Sequence, residues 1–402
     1  MNKINKFCLL FIFFTIFIVV GIWGDCFEQL KWKSLDLAAG LKHGNFSSFF
    51  VFKSNIDDVS NKQLRYHDLM MDVNSVKENM IGTKIIKKED MLVVKNNDTL
   101  ISPAEDSIDS KDVLFITDNI KRLQTIAEAN NAQFLYCAAP RKENYEKTPE
   151  NVNSYNEMNY NIFLSSLKQR DIPFIDFTES LRDSDISQSN NFFVTDHHWK
   201  PLSGFIAATS ICQKLNSQYG FEYESAYIDI DNYNIDHFSD LFLGSYGKKV
   251  GTFFTWQGAD DFDLITPKFN TSMTEEQPFK EKVRNGSFKD TVLYMENIKK
   301  DYYNVNTYAT YSGGDFRLQI IKNNNNPNGK KALLIRDSYA CVVAPFLSLQ
   351  FSELHICDVR NYDYYVGDKI NVEEYIKNIN PDYVMVLYSG VPKVEIGSLD
   401  FY

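Results

Sequence analysis

Ala332-Leu333-Leu334-Ile335-Arg336-Asp337-Ser338-Tyr339 reads as a short buried strand, a charged turn and the start of a helix over 339–349. Four consecutive apolar residues place both faces of that strand under cover, as in a parallel sheet packed between helices. The same unit recurs on either side. Downstream lie a strand at 354–357, a helix over 372–378 and a strand at 383–388. Upstream, Leu114, Ile116, Ile120, Leu123, Ile126 and Ala127 mark a helix over 112–130, and a strand at 134–139 ends at Pro140. A helix over 161–169, a strand at 173–177 and a helix opening at Pro201 and stopping before Gly220 complete the series. Helices alternating with short apolar strands predict a three-layer α/β/α domain around a central parallel sheet.

The alternation lapses over 222–328, a stretch rich in Asp, Asn, Tyr and Phe. It reads as an inserted small lobe of short strands and loops, closed by the turn Asn323-Asn324-Asn325-Asn326-Pro327-Asn328-Gly329. The main domain is expected over 101–402. Residues 24–100 read as a membrane-proximal region of short elements, with strands at 49–52 and 91–94.

With 402 residues, 44% of them hydrophobic and 14% aromatic, the chain has ample material for a core and is not a disordered polymer. A net charge of −11 argues against a nucleic-acid partner. Lys3 and Lys6 precede an apolar run over 7–23 broken only by Thr15 and Gly21. That run sits at the short end of the roughly 17–25 residues that span a bilayer, with its positive flank on the cytoplasmic side. Ile22-Trp23-Gly24-Asp25-Cys26 offers no small-x-small cleavage site. The expectation is a single-pass signal-anchor at 7–23 in the cell membrane, with residues 1–6 cytoplasmic and the remainder extracytoplasmic; secretion after cleavage is the alternative. Cys137, Cys212, Cys341 and Cys357 lie among apolar neighbours without CxxC spacing and read as buried free thiols. A bridge between Cys137 and Cys357 stays open.

The chemistry gathers in two places. Two of the six histidines stand in Thr195-Asp196-His197-His198-Trp199. A carboxylate beside an imidazole can orient it and balance its charge, which makes a general base. Ser338 follows a strand end, where α/β sheets gather function, and opens a helix whose N-terminus favours a developing oxyanion. Alone, Ser338 is equally a helix N-cap, and the histidines equally loop residues satisfied by backbone groups. Together they supply what a serine nucleophile needs. Asp196 can reach one ring nitrogen of His198 while the other faces Ser338, leaving His197 to pack or touch substrate. The reverse assignment remains open. Metal binding by Asp196, His197 and His198 is a third option, but adjacent histidines rarely converge on one ion, and no metal or cofactor is expected.

The Thr-Asp-His-His-Trp segment with the later Asp-Ser-Tyr segment resembles the DHHW proteins. These are similar to the alginate O-acetyltransferase accessory proteins, within the SGNH (GDSL-like) hydrolase superfamily. The likeness covers residues 100–402 and implies a circularly permuted motif order, with Asp-x-His ahead of the serine. It implies Ser338 as nucleophile, His198 as base and Asp196 as orienting acid. Gly244-Ser245-Tyr246-Gly247-Lys248-Lys249-Val250-Gly251 is similar to a family Gly-Ser-x-Gly-Arg-Arg-x-Gly element, and so brings in Ser245 and Lys248 as substrate-side candidates. Asp358-Val359-Arg360 is similar to a family Asp-x-Arg element, and Pro140-Arg141-Lys142 to a Pro-x-Lys element that brings in Lys142. The chain departs from the pattern where no glycine precedes Asp337-Ser338 and where lysines replace arginines at 248 and 249. The Ser338 N–H is the direct oxyanion donor candidate; Arg360, Gly313 and Gly314 are further ones.

The resemblance implies O-acetylation of an extracytoplasmic cell-surface polysaccharide through an acyl-serine, with a membrane-embedded acyltransferase supplying acetyl groups. Two alternatives stand beside it. One is a carbohydrate or lipid esterase with the same triad. The other is a non-catalytic glycan-binding or scaffold protein, for which a gap beyond about 6 Å between Ser338 and both histidines would speak. Tyr302, Tyr303, Tyr308, Tyr311, Tyr362, Tyr364 and Tyr365 could stack on sugar rings or simply fill loops.

Overall fold

In a computed structural model that describes residues 67–88, 91–146, 148–184, 190–394 and 397–401, the strand–helix series builds one eight-stranded sheet. The elements run α1 (His67–Met80), β1 (Ile85–Lys88), β2 (Met91–Asn96), β3 (Thr99–Ile101), α2 (Ser110–Ala129), β4 (Gln133–Ala139), α3 (Asn156–Gln169), β5 (Phe174–Asp176), α4 (Phe177–Arg182) and α5 (Pro201–Tyr219). They continue β6 (Tyr233–Phe242), α6 (Ser245–Val250), β7 (Asp260–Pro267), β8 (Met273–Gln277), β9 (Lys282–Gly286), α7 (Phe288–Thr291) and β10 (Leu318–Asn323). The chain closes with β11 (Lys331–Arg336), α8 (Ala344–Ser348), β12 (Glu353–Cys357), α9 (Val372–Ile379) and β13 (Tyr383–Ser389). Helix α1 belongs to a unit ending at Ile81, and residues 82–402 form a second unit. The expected anchor at 7–23 and strand at 49–52 lie outside the described residues. No helix among the described residues is long and apolar enough to cross a membrane.

Sheet order is β5-β4-β13-β11-β12-β10-β8-β9. The first five strands are parallel. The last three join antiparallel, so the sheet is mixed rather than parallel throughout. The extra strands come from the stretch expected to form a separate lobe. Only β6 and β7 pair apart from the main sheet within that stretch, whereas β8, β9 and β10 extend its edge. Their hydropathy hides this, because Glu275, Gln277 and Gln319 are buried polar residues on β8 and β10. The Glu275 Oε1 atom ties them together, accepting from Gln277 Nε2 at 2.8 Å, Gln319 Nε2 at 2.6 Å and the Tyr294 hydroxyl at 2.5 Å.

Period-two alternation sorts the parallel strands between two cores. Leu135, Cys137, Leu334, Met385 and Leu387 face α4, α5 and α8, where Phe177, Phe205, Ile211 and Leu347 complete the packing. Phe134, Tyr136, Leu333, Ile335, Val384 and Val386 face the other way, onto Ile120 and Leu123 of α2, Phe163 of α3 and Ile376 of α9. That is the three-layer arrangement. Cys137, Cys212, Cys341 and Cys357 are buried free thiols, and none bridges.

The helix expected over 339–349 is broken. A 3₁₀ turn spans Ser338–Val342 and α8 begins at Ala344, with Pro345 near its start. Proline lacks the N–H that would bond the carbonyl one turn back, so the helix has to restart there. The turn also receives α5 at very close range. A Cβ on Gly204 would lie 2.5 Å from the Val342 carbonyl oxygen, so only glycine fits.

Two substitutions test the core assignment. Leu334→Ala should cost about 2–5 kcal/mol in urea unfolding. Leu114→Ala on α2, where the side chain is 48% exposed, should change stability by less than about 0.5 kcal/mol.

Candidate active site

β11 carries Arg336 to the carboxyl edge of the sheet, and the chain turns at Asp337 into the 3₁₀ turn that begins with Ser338. Asp337 fixes that turn at both ends. Its Oδ1 accepts from the Tyr339 N–H at 3.0 Å, and its Oδ2 accepts from the Ser389 N–H and hydroxyl, each at 2.8 Å. The ends of β11 and β13 are thereby tied together. Ser338 is left partly exposed at the first position of the turn, where helical geometry supplies its N–H with no acceptor.

The histidine segment approaches from the other side as a loop ahead of α5. Asp260, at the start of β7, accepts from the Val194 N–H at 2.6 Å and from the Thr195 N–H at 2.8 Å. Lys142 Nζ donates to the Phe193 and Val194 carbonyls at 2.9 and 3.0 Å. Lys142 therefore supports this loop from beneath; it is buried, and it does not line the cavity above. Burial lowers its ammonium pKa to about 8.

Across this frame the two halves meet. His198 Nε2 lies 2.7 Å from Ser338 Oγ, and its Nδ1 lies 2.5 Å from Asp196 Oδ1. The same Oδ1 accepts from the His198 N–H at 2.9 Å, and Asp196 Oδ2 accepts from the Ser245 N–H at 2.5 Å. Tyr308 stacks on the His198 ring at 4.1 Å with 20° between planes. The ring therefore has a fixed tilt as well as two fixed nitrogens.

His197 points elsewhere, with Nδ1 2.9 Å from Ser245 Oγ. Burial and the neighbouring His198 drive its imidazole well below its ordinary pKa. Burial alone would raise the Asp196 carboxyl. His197, His198 and the hydrogen bonds from His198 and the Ser245 N–H outweigh it and hold Asp196 well below the usual carboxylate range. Ligand atoms of Asp196, His197 and His198 lie within 4.8 Å of one another. Both His198 nitrogens are engaged, so a cation there would have to displace Ser338 or Asp196.

A cavity of about 410 Å³ opens over Ser338 and His198. Ser245, Lys248, Gly314 and Arg360 line it as well, while Gly313 packs beneath the Tyr294 ring. Lys248 Nζ is committed to the Val305 carbonyl at 2.8 Å. Arg360 is committed to Asp358, through Nε at 2.9 Å and Nη2 at 2.5 Å, and to Asp315 Oδ2 at 3.2 Å. The cavity also takes in Arg141 and Asp315, which sequence reasoning passed over. A signal for Asp315 was available: Arg336 closes an otherwise apolar strand end and, once buried, needs an acid, and Asp315 pairs with it.

Gly244 lets the Asp196 loop and α6 touch, since a Cβ there would stand 2.2 Å from Asp196 Cβ. Gly244→Ala should destabilise the protein by about 1–3 kcal/mol in thermal unfolding and break the bond from the Ser245 N–H to Asp196. A pH series tests Asp196. Its folded pKa lies below the ~3.9 of an unfolded aspartate, so its contribution to stability is full above that value and is lost as pH falls through the folded value. Urea-unfolding free energy should fall less steeply below about pH 4 in Asp196→Asn than in the parent.

Residues 109–227 match the family described as "SGNH hydrolase-like domain, acetyltransferase AlgX". That match takes in Asp196 and His198 and ends before Ser338. PatB1 of Bacillus cereus is 23% identical, with 75% of this chain and 96% of that one aligned at a TM-score of 0.61. A DHHW family protein of Eubacterium siraeum is 17% identical, with 79% and 97% aligned at a TM-score of 0.58. No curated protein matches the sequence. The resemblance read from the Thr-Asp-His-His-Trp and Asp-Ser-Tyr segments is met by both comparisons: residues 109–227 are similar to an SGNH hydrolase-like domain, and the chain shares its fold with a DHHW family protein.

Proposed function

We propose that the chain is an SGNH-type O-acyltransferase that moves an acetyl group onto a hydroxyl of an extracytoplasmic polysaccharide. The observation that carries this reading is the hydrogen-bonded line from Asp196 through His198 to Ser338, open to a cavity. Ser338 Oγ attacks the acyl carbonyl of the donor as His198 Nε2 takes its proton. Asp196 holds the Nδ1–H tautomer and balances the imidazolium, while the Ser338 N–H faces the developing oxyanion. Collapse expels the donor's leaving group, which takes the proton back from His198. An acyl-serine remains. An acceptor hydroxyl then gives its proton to His198, attacks the ester carbon and releases Ser338 Oγ, which is reprotonated.

The family description and the α/β scaffold support acyl chemistry; the polysaccharide acceptor is inferred from the resemblance. A membrane-embedded acyltransferase as acetyl source, and an extracytoplasmic position behind a signal-anchor at 7–23, belong to the same proposal. With water as acceptor, the same residues would form an esterase.

A serine-directed sulfonyl fluoride should label Ser338 in the parent and not in Ser338→Ala or His198→Ala. Ester turnover should fall by at least about 10³-fold in either variant. Neither labelling nor turnover in the parent would leave a scaffold as the reading. Deleting the gene should lower acetyl content of surface glycans; a rise would identify an esterase.

A further inference from the structure

Arg317, just ahead of β10, is only 7% exposed, yet among the described residues its Nε and Nη1 meet no hydrogen-bond partner. The nearby acids are taken. Asp358 is held by Arg360 and by the Tyr365 hydroxyl at 2.5 Å, and Asp315 by Arg336 and Arg360. Arg317's own neighbour is a ring: its guanidinium lies 5.0 Å from the centroid of Tyr365. A desolvated guanidinium without a counter-charge is costly, and its planar fork of donors matches an oxyanion.

Arg317 lines a cleft of about 60 Å³ together with Lys280, Tyr364 and Asp315. At ~30 Å³ per water, that space suits one small charged group and not a sugar ring. Lys280 is held at the cleft with its ammonium 4.3 Å from the Phe316 ring centroid. The Asp315 carboxylate, tied to two arginines, is already neutralised. The cleft adjoins the catalytic cavity, because Asp315 lines both. Aromatic rings bridge them: Tyr362 lines the cavity, Tyr364 lines the cleft, and the two stack at 5.1 Å with 10° between planes. Tyr364 is 64% exposed, so the strip is open from outside.

We propose that Arg317 and Lys280 form a subsite for an oxyanionic substituent, a carboxylate, phosphate or sulfate, borne by the same acceptor chain whose hydroxyl is presented to Ser338. The acceptor would lie along Tyr362 and Tyr364, with its charged group in the cleft. This rests on the acyl-transfer reading for the identity of the bound chain, but not for the anion site itself.

Calorimetric titration of the full chain with inorganic sulfate, inorganic phosphate and free glucuronate, at low ionic strength, tests the site directly. Saturable binding of at least one probe is expected, weakened at least tenfold in Arg317→Met, severalfold in Lys280→Ala, and partly restored in Arg317→Lys. The probe that binds best identifies the substituent. No binding to the parent, or equal binding by parent and variants, overturns the proposal. Lys280 is exposed, so Lys280→Ala keeps the test decisive if Arg317→Met fails to fold. Acyl transfer to charged and neutral oligosaccharides separates the two readings. Anion binding that depends on Arg317 and Lys280 without any transfer would keep the subsite and remove the acyltransferase. Transfer with the same KM for a charged acceptor in parent and Lys280→Ala would do the opposite.

Discussion

Trp199 and Tyr339 hold the two halves of the site together. The buried indole Nε1 donates to the Tyr339 carbonyl at 2.9 Å, and the Tyr339 hydroxyl donates to the His197 carbonyl at 2.5 Å. These bonds flank the contact between His198 and Ser338, which are 140 residues apart in the chain. Each such bond nets only about 0.5–1.5 kcal/mol of stability. Their value lies in placement, since a misplacement of about 1 Å in a reacting group can cost about 10²-fold in rate. Trp199 is itself fixed by the edge of Phe177 at 5.7 Å, and Gly204 lets α5 press onto the turn that carries Ser338. Packing in the core thus sets the distance between His198 and Ser338.

Buried charge is distributed around that clamp in an ordered way. Asp196, Asp260 and Asp337 each accept backbone N–H groups, so each turns an acidic side chain into a brace for a loop. Arg336, Arg360, Asp315 and Asp358 form a compact network behind Ser338, in which every carboxylate meets at least one guanidinium. Breaking one member would leave an unpaired buried charge, which is the costly outcome. The floor of the cavity is consequently stiff, whereas the rim carries rings and cations.

Much of this was legible in the amino-acid order. Apolar runs gave the parallel strands and their helices because burial on both faces leaves no polar interruption. Asp196, His198 and Ser338 were legible because few other residue sets can activate a hydroxyl. The antiparallel edge was not, because Glu275 and Gln319 mask buried strands and are compensated by partners distant in sequence. Lys142, a substrate-side candidate from its motif, lies away from the cavity for a related reason: only the three-dimensional fold brings the Phe193 and Val194 carbonyls over it. Tyr308, one of several candidates for sugar stacking, instead stacks on His198 and is 2% exposed.

The strand order has a consequence for when the protein can first work. β13 is the last strand in the chain, yet it occupies the slot between β4 and β11. Until residues 383–389 arrive, β4 and β11 lack their shared neighbour, and Asp337 lacks the Ser389 groups that brace the serine turn. A chain made from its N-terminus therefore carries Asp196, His198 and Ser338 long before they can be aligned. The same pairing joins residues 133–139 to 383–389, a long-range contact whose loop-closure entropy slows folding. Insertion of residues 383–389 and alignment of His198 with Ser338 are, in this topology, coupled.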